Sequence, residues 1–128
     1  MTENEIGTIV IESAIAVHRE LGPGLLETVY EIVLVSEVLD RGLKVEQVPV
    51  SIEDKGVKFE EGFRADVIVE GKVILELKSI QRVTAAHKKQ LQTYLRLTGC
   101  KLGYLLNFGE ALLKSGITRC VKGLEDSI

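Results

Sequence analysis

The chain has 128 residues, of which 45% are hydrophobic, 27% charged and 5% aromatic. This length is typical of one domain with its own core, and the hydrophobic share excludes an intrinsically disordered chain. The net charge of −3 lacks the basic surplus that usually marks a nucleic-acid binder.

Two helices are predicted in the first third of the chain. Apolar residues recur at helical spacing over residues 5–21, with Thr2 or Asn4 as the candidate N-cap and residues 22–24 as the stop. A second helix is predicted from about Glu27 to residue 39. Five apolar residues define its expected core side: Tyr30, Val33, Leu34, Val38 and Leu39.

The apolar pattern then changes to the period of β-strands. Pro49 indicates that the strand over residues 48–52 lies at an edge of its sheet. Gly71 favours a tight turn before the strand over residues 72–78, the last of this group. That last strand is nearly all apolar, as expected for a central strand covered on both faces, and Glu76 is its exception. The predicted strands are residues 48–52, 57–59, 63–69 and 72–78, with a turn over residues 53–56.

A third helix is predicted over residues 84–98, ending at Gly99. It is followed by a strand over residues 101–108 and an edge strand over residues 117–121. This order of elements predicts a single α/β domain over residues 1–128, with a mixed central β-sheet flanked by helices.

Asp66 and Glu76 lie on consecutive predicted strands joined by a tight turn, so the two strands are expected to be antiparallel neighbours. A two-residue loop of Glu70-Gly71 puts Asp66 opposite Leu75. Glu76 then points to the other face of the sheet. A three-residue loop that includes Lys72 pairs Asp66 with Glu76 instead. The sequence leaves both registers open.

Glu76 and Lys78 are two residues apart, so they share one face of their strand. Two buried carboxylates need a compensating cation, and oxygen ligands favour Mg²⁺ or Mn²⁺. Lys78 could then orient a water molecule or stabilise charge on a phosphate. The alternative is a salt-bridged strand in which Glu76 pairs with Lys78 and Asp66 is solvated.

Two helical pairs could complete such a site. Glu27 and Tyr30 lie on one face of the second helix, and Gln90 and Tyr94 lie one turn apart on the third. Each residue also has an ordinary interpretation. Glu27 would be a first-turn acid favoured by the helix dipole, Tyr30 and Tyr94 would be core aromatic residues, and Gln90 would be an exposed amide.

The charge is distributed unevenly along the chain. Residues 1–71 carry six basic and fifteen acidic side chains, whereas residues 72–101 carry seven basic and one acidic. Bulk charge therefore does not exclude a phosphate-bearing substrate; it predicts a narrow basic strip and weak, salt-sensitive binding. Such a series more often only keeps a helix soluble. The candidates for nucleic-acid contacts are Arg82, Lys88 and Lys89.

Several features indicate a cytoplasmic protein without membrane contact. Cys100 and Cys120 lack the spacing of a metal cluster and are expected to be free thiols. The acidic N-terminus lacks the basic region of a signal peptide. Uninterrupted apolar runs are far shorter than the roughly 20 residues of a membrane span.

Taken in order, these motifs resemble the GxxExxY protein family of the PD-(D/E)XK nuclease superfamily. The resemblance extends over residues 6–121 and includes His18 and the segment Asn107-Phe108-Gly109. Ala65 stands where the superfamily usually has a proline. The matching motifs are Gly24-x-x-Glu27-x-x-Tyr30, Asp66, Glu76-x-Lys78 and Gln90-x-x-x-Tyr94.

The resemblance implies a restriction-endonuclease-like core with a four-stranded mixed sheet, and Mg²⁺-dependent hydrolysis of phosphodiester bonds. It implies that Lys78 orients the attacking water and that Gln90 supports the catalytic site. Supporting positions are Tyr94, Tyr30 and His18, although His18 has an ordinary structural interpretation as well. The implied metal ligands are Asp66, Glu76, Glu27 and the carbonyl of Leu77.

The leading hypothesis is therefore a metal-dependent nuclease, a hydrolase acting on DNA or a related nucleic acid. A first alternative is a non-catalytic nucleic-acid-binding or regulatory module that keeps the nuclease fold. A second is a structural interaction protein whose acids are salt-bridged. A homodimer or a protein partner could supply substrate specificity.

Overall fold

The computed structural model describes residues 1–47, 49–54, 57–64 and 67–124. In the described part of the chain two helices come first, followed by five strands, a third helix and two further strands. The elements are α1 (Glu3–Leu21), α2 (Glu27–Asp40), β1 (Val45–Glu46), β2 (Pro49–Asp54), β3 (Val57–Arg64), β4 (Val67–Val69), β5 (Val73–Lys78), α3 (Ala85–Thr98), β6 (Leu102–Asn107), a 3₁₀ turn (Leu113–Gly116) and β7 (Ile117–Val121).

The described strands form a five-stranded sheet in the order β1-β4-β5-β6-β7 and a separate pair, β2-β3. In the larger sheet β5 and β6 are parallel, and the other neighbours are antiparallel. The connection between β5 and β6 contains α3, since parallel neighbours need a crossover that returns the chain to the same end. The predicted mixed sheet flanked by helices is confirmed.

The central strand β5 divides the core into two layers. Its side chains alternate, so Leu75 packs in the cluster that contains α1 and α2, whereas Ile74 packs in the cluster that contains α3. Residues 73–77 are all buried. The prediction of a central strand covered on both faces is therefore confirmed.

The first helix begins with a capping box. The Thr2 hydroxyl accepts a hydrogen bond from the Glu5 backbone N–H, and the Glu5 carboxylate accepts one from the Thr2 backbone N–H. The hydrogen bond from the Thr2 backbone N–H is the largest of the effects that hold the pKa of the Glu5 carboxyl below its ordinary value. Of the two candidate caps, Thr2 is confirmed, and Asn4 lies inside the helix.

Replacing Thr2 by Ala should lower the melting temperature by a few degrees at neutral pH, because the hydroxyl that accepts from the Glu5 N–H is lost, while the backbone N–H of residue 2 remains. The pKa of Glu5 is lower in the folded than in the unfolded chain, so its stabilisation is present at neutral pH and disappears as the pH falls through the lowered value. Thermal unfolding at neutral and acid pH measures both effects. Glu5→Gln, which removes the charge and keeps a side-chain oxygen as acceptor, should be less stable than the wild type at neutral pH by a difference that narrows in acid. A difference independent of pH would contradict the contribution of the Glu5 charge to the box.

Two expectations about the elements were wrong, and one strand was missed. Residues 63–69 do not form one strand: residues up to Arg64 pair with β2, whereas β4 pairs with β5 in the other sheet. The strand β1 was missed because two residues are too few to show an alternating pattern. Leu39 was expected on the core side of α2 but is 51% exposed. The helix buries the stripe formed by Tyr30, Leu34 and Val38, and Leu39 lies on a different side of the helix.

The predicted turn over residues 53–56 is only partly testable. Residues 53 and 54 belong to β2, and residues 55 and 56 lie outside the described part of the chain. Pro49 begins β2, and β2 pairs with one neighbour, β3. This position fits the expected edge location, since proline cannot donate to a ladder.

Both cysteines are buried free thiols. Burial raises the pKa of the Cys120 thiol, an effect that the nearby positive charge of Lys88 partly offsets. Among the helices of the described residues, none is both long and apolar enough to pass through a membrane.

Candidate active site at the carboxyl end of the central strands

The hairpin between β4 and β5 has a three-residue loop. Val69 pairs with Val73, and Gly71 takes the left-handed conformation, with φ at 64°, that this turn requires. This is the register in which the sequence predicts Asp66 opposite Glu76, and the two-residue loop is excluded. Asp66 itself lies outside the described residues, so its position remains a prediction.

Glu76 and Lys78 project from the face of β5 that α3 covers. Ile74 belongs to the buried cluster of α3, and side chains two and four residues further along a strand share its face. Glu76 is 5% exposed, and its partner on β6 is the buried Leu105. Lys78 is half-exposed at the end of the strand. The sheet therefore places a buried carboxylate next to a solvent-accessible ammonium along one face.

Leu77 lies between these two residues and faces the other way. Its side chain is 1% exposed in the core that contains α1 and α2. Only its main-chain carbonyl is thus available for the role that the resemblance implies.

The start of α2 lies beside the end of β5. The Ser79 hydroxyl donates a hydrogen bond to the Leu25 carbonyl, which ties the loop before α2 to the residue after Lys78. Glu27, the first residue of α2, is exposed. The fold therefore brings the first turn of α2, with its acid, to the end of the sheet that carries Lys78.

Tyr30 holds this loop in place and is itself inaccessible. Its hydroxyl donates to the Gly22 carbonyl at 2.5 Å and accepts from the Leu25 N–H at 3.1 Å. Its ring stacks on Phe108, with 4.4 Å between centroids. The side chain is fully buried, so Tyr30 positions the segment that leads to Glu27.

His18 has a comparable structural position. It is 5% exposed, its Nε2–H donates to the Glu110 carbonyl at 2.9 Å, and its ring lies 5.9 Å from that of Phe108. The hydrogen bond joins α1 to the segment that follows β6. The geometry therefore supports the ordinary interpretation of this histidine, a satisfied core residue.

Asn107 is the residue of this region to which the sequence assigned no role. It is fully buried, ends β6 and pairs with Lys78. Its Oδ1 accepts from the N–H groups of Ile80 and Gly109 at 3.1 and 3.0 Å, and its Nδ2 donates to the Ile80 carbonyl at 3.0 Å. One side chain therefore fixes the backbone just after Lys78. A polar residue ending an apolar strand is the signal that could have identified it.

Gly109 permits this close approach of two backbone segments. A Cβ atom at this position would lie 2.2 Å from the Ile80 carbonyl oxygen, a distance that real Cβ contacts essentially never show. The absence of a side chain therefore lets the chain after β6 pack directly against the chain after β5.

The two polar residues predicted on α3 occupy different environments. Tyr94 is 6% exposed in the layer between α3 and the sheet, where it belongs to the same buried cluster as Ile74. Gln90 is exposed, one turn earlier. Because α3 starts from the carboxyl end of β5, Gln90 lies nearer that end than Tyr94 does.

The three predicted phosphate contacts are all exposed. Arg82 and Lys88 line a small polar cavity of about 210 Å³, together with Thr118 and Glu110. Lys89 lines a different groove, between α3 and β7. The basic residues therefore follow α3 and do not converge on one point.

The described residues contain no group of three or more His, Cys, Asp or Glu side chains close enough to hold a metal ion. The predicted ligand set includes Asp66, which lies outside them. All of its members offer oxygen atoms, the donors that Mg²⁺ and Mn²⁺ prefer. The chemistry of the donor set thus fits a hard divalent cation.

A family model described as the PD-(D/E)XK nuclease superfamily matches residues 4–120. The match begins in α1 and ends in β7, so it includes the hairpin with Glu76 and Lys78, α3 and the segment after β6. No curated protein and no solved structure shows significant similarity to the chain.

Proposed function

Because the chain belongs to the PD-(D/E)XK nuclease superfamily, we propose that it is a metal-dependent nuclease acting on DNA or a related nucleic acid. The observation that carries the proposal is the arrangement on β5: a carboxylate buried on the α3 face, followed two residues later by the half-exposed ammonium of Lys78. The order and spacing of the motifs further suggest the GxxExxY family within this superfamily.

We assign the metal ligands to Asp66, Glu76, Glu27 and the carbonyl of Leu77. Glu76 is fixed by its buried strand, and Glu27 stands on the first turn of α2 beside the end of that strand. A divalent cation held by these oxygens supplies Lewis-acid polarisation of a phosphodiester and lowers the pKa of water.

Lys78 has the chemistry to act on the attacking water and the scissile phosphate. Its ammonium donates hydrogen bonds and carries a positive charge, so it stabilises negative charge that develops during in-line attack. Gln90, exposed near the same end of the sheet, is assigned a supporting contact with the water or the substrate. Tyr94 supports the layer behind Glu76.

A nuclease assay with linear, nicked, branched and single-stranded DNA tests the enzymatic proposal. Lys78→Ala should reduce cleavage by about a hundredfold or more, the usual loss when one charge-stabilising donor is removed. Lys72→Ala is the matched control, because Lys72 is an exposed lysine beyond the opposite end of β5. Its cleavage rate should stay near that of the wild type.

The same assay separates the nuclease from the alternative of a non-catalytic binding module. DNA binding without Lys78-dependent cleavage of any substrate would favour that module, which the exposed basic side chains along α3 also suit. A homodimer or a protein partner that supplies substrate specificity remains part of the proposal. The free thiols fit a reducing compartment such as the cytoplasm.

A further inference from the structure

A groove of about 550 Å³ runs between α3 and the edge strand β7, away from the assigned catalytic residues. Three of its lining residues carry positive charge, and none carries negative charge. All three cations are exposed. The lining residues are Lys89, Gln92, Thr93, Leu95, Arg96, Val121 and Lys122.

The two walls of this groove follow directly from the secondary structure. On α3, Lys89, Gln92 and Arg96 have the spacing that places them on one helix face. Cys120 belongs to the buried cluster of α3, so the residues two positions before and after it, Thr118 and Lys122, lie on the same side of β7. The helix and the strand therefore both turn polar or cationic side chains toward the groove.

One end of the groove, at Lys89, lies toward the end of the sheet that carries the candidate active site. Both α3 and β7 begin at the carboxyl end of the parallel strands, since α3 follows β5 and β7 is antiparallel to β6. Near that end lies the smaller cavity, which Arg82, Lys88 and Thr118 line. Lys88 lines the smaller cavity and Lys89 lines the groove, so the two cavities follow one another along α3. Their cations, Arg82, Lys88, Lys89, Arg96 and Lys122, are called the track below.

The length of the track suits a nucleic-acid strand. From Lys88 to Arg96 the helix axis advances about 12 Å, at about 1.5 Å per residue. One strand of a duplex presents a phosphate about every 3.4 Å along the axis, so this distance accommodates roughly three to four phosphates.

The cations of the track are not neutralised by ion pairs within the described part of the chain. The salt bridges found there both use Arg41, the C-cap of α2, and join it to Glu12 of α1 and Glu37 of α2. Glu110 is the acid that lines the smaller cavity. The helices α1 and α2 pack on the other face of the sheet and together carry eight acidic side chains and one basic side chain, so a polyanion is repelled from that face.

We infer that the α3–β7 track binds the phosphate backbone of the substrate strand outside the point of cleavage. The inference rests on the proposed nuclease function and adds Arg96 and Lys122 to its substrate contacts. Backbone contacts of this kind position a nucleic acid without reading its sequence. The track would therefore hold the strand in line with Lys78 and leave sequence selection to other parts of the assembly.

The test compares two double variants of the full chain with equal loss of charge. Arg96→Gln with Lys122→Gln removes the two outer cations of the track. Lys44→Gln with Lys114→Gln removes two exposed lysines outside it. Binding of a fluorescent DNA duplex, and of its separated single strand, is measured in EDTA against salt concentration.

The groove variant should reduce the slope of log K against log salt by about 1.8 for the duplex and about 1.4 for the single strand, from two lost phosphate contacts. The control variant should keep the wild-type slope. Equal reductions in the two variants would overturn the inference, because net charge alone would then explain binding. Binding of polyglutamate, measured in the same way, probes for an acidic protein partner. If the groove variant loses polyglutamate binding but binds DNA as the wild type does, the inference is overturned in favour of such a partner.

The same proteins distinguish failure of the track from failure of the nuclease. If the wild type binds DNA through Arg96 and Lys122 but cleaves no substrate, the track stands and the catalytic proposal fails. If cleavage depends on Lys78 and the groove variant binds as the wild type does, the track fails and the nuclease stands. No DNA binding by the wild type at low salt overturns the track.

Discussion

Replacing Glu76 by Gln is expected to abolish Mg²⁺ binding at the candidate site and to reduce cleavage by about a thousandfold. The change keeps the size of the side chain and removes its negative charge. Glu76 is 5% exposed and held in a central strand, so the position of its carboxylate is fixed by the sheet. A thousandfold loss corresponds to about 4 kcal/mol of transition-state stabilisation, within the several kcal/mol that a metal ion supplies.

Calorimetric titration with Mg²⁺ and the melting temperature with and without Mg²⁺ measure the binding separately from cleavage. A ligand that binds only the folded chain raises the melting temperature, so this rise should be present in the wild type and absent from Glu76→Gln. Glu70→Gln is the matched control, since Glu70 lies in the turn of the same hairpin. Equal heats of Mg²⁺ binding in wild type and Glu76→Gln would contradict the metal site.

Replacing Asn107 by Ala is expected to lower the free energy of unfolding by about 3 kcal/mol. The side chain is fully buried and makes three hydrogen bonds to the backbone of Ile80 and Gly109. Removing it leaves two N–H groups and one carbonyl without this partner, and each buried group left unsatisfied costs about 1–3 kcal/mol. Partial access of water to the loop should limit the sum. Urea unfolding monitored by circular dichroism measures the loss.

The same variant should also cleave more slowly, because Asn107 fixes the backbone that follows Lys78. Thr8→Ala is the control, since it removes one exposed side-chain hydrogen bond, from Thr8 to the Asn4 carbonyl. It should leave stability and cleavage almost unchanged. An Asn107→Ala protein as stable as the Thr8→Ala protein would show that the three bonds do not hold the loop.

Much of the fold could be predicted from local patterns. The capping box at Thr2, the helical stripes of α1 and α3, and the apolar run of β5 are properties of short segments, and a short window of sequence displays them. The unusual position of Glu76 was visible in the same way, as an acid within an apolar strand. Its burial confirms that reasoning.

The supporting contacts of the site could not be predicted in this way. Tyr30 stacks on Phe108, and His18 donates to Glu110, although each pair is separated by more than seventy positions. Phe108 and Asn107 belong to a segment that the resemblance included without assigning it a function. Their roles follow from the meeting of β5 and β6 at one end of the sheet, which no local periodicity encodes.

The sequence by itself determined the type and approximate limits of the main elements, the acid within β5 and the basic strip of residues 72–101. Only the tertiary structure decided the register of the β4–β5 hairpin, the division of residues 57–69 between two sheets, and the alignment of α3 with β7. The physical reason is the separation along the chain of the groups that interact. Side-chain periodicity reports which face of one element is buried, whereas strand pairing and groove formation depend on which distant backbone and side-chain groups pack against it.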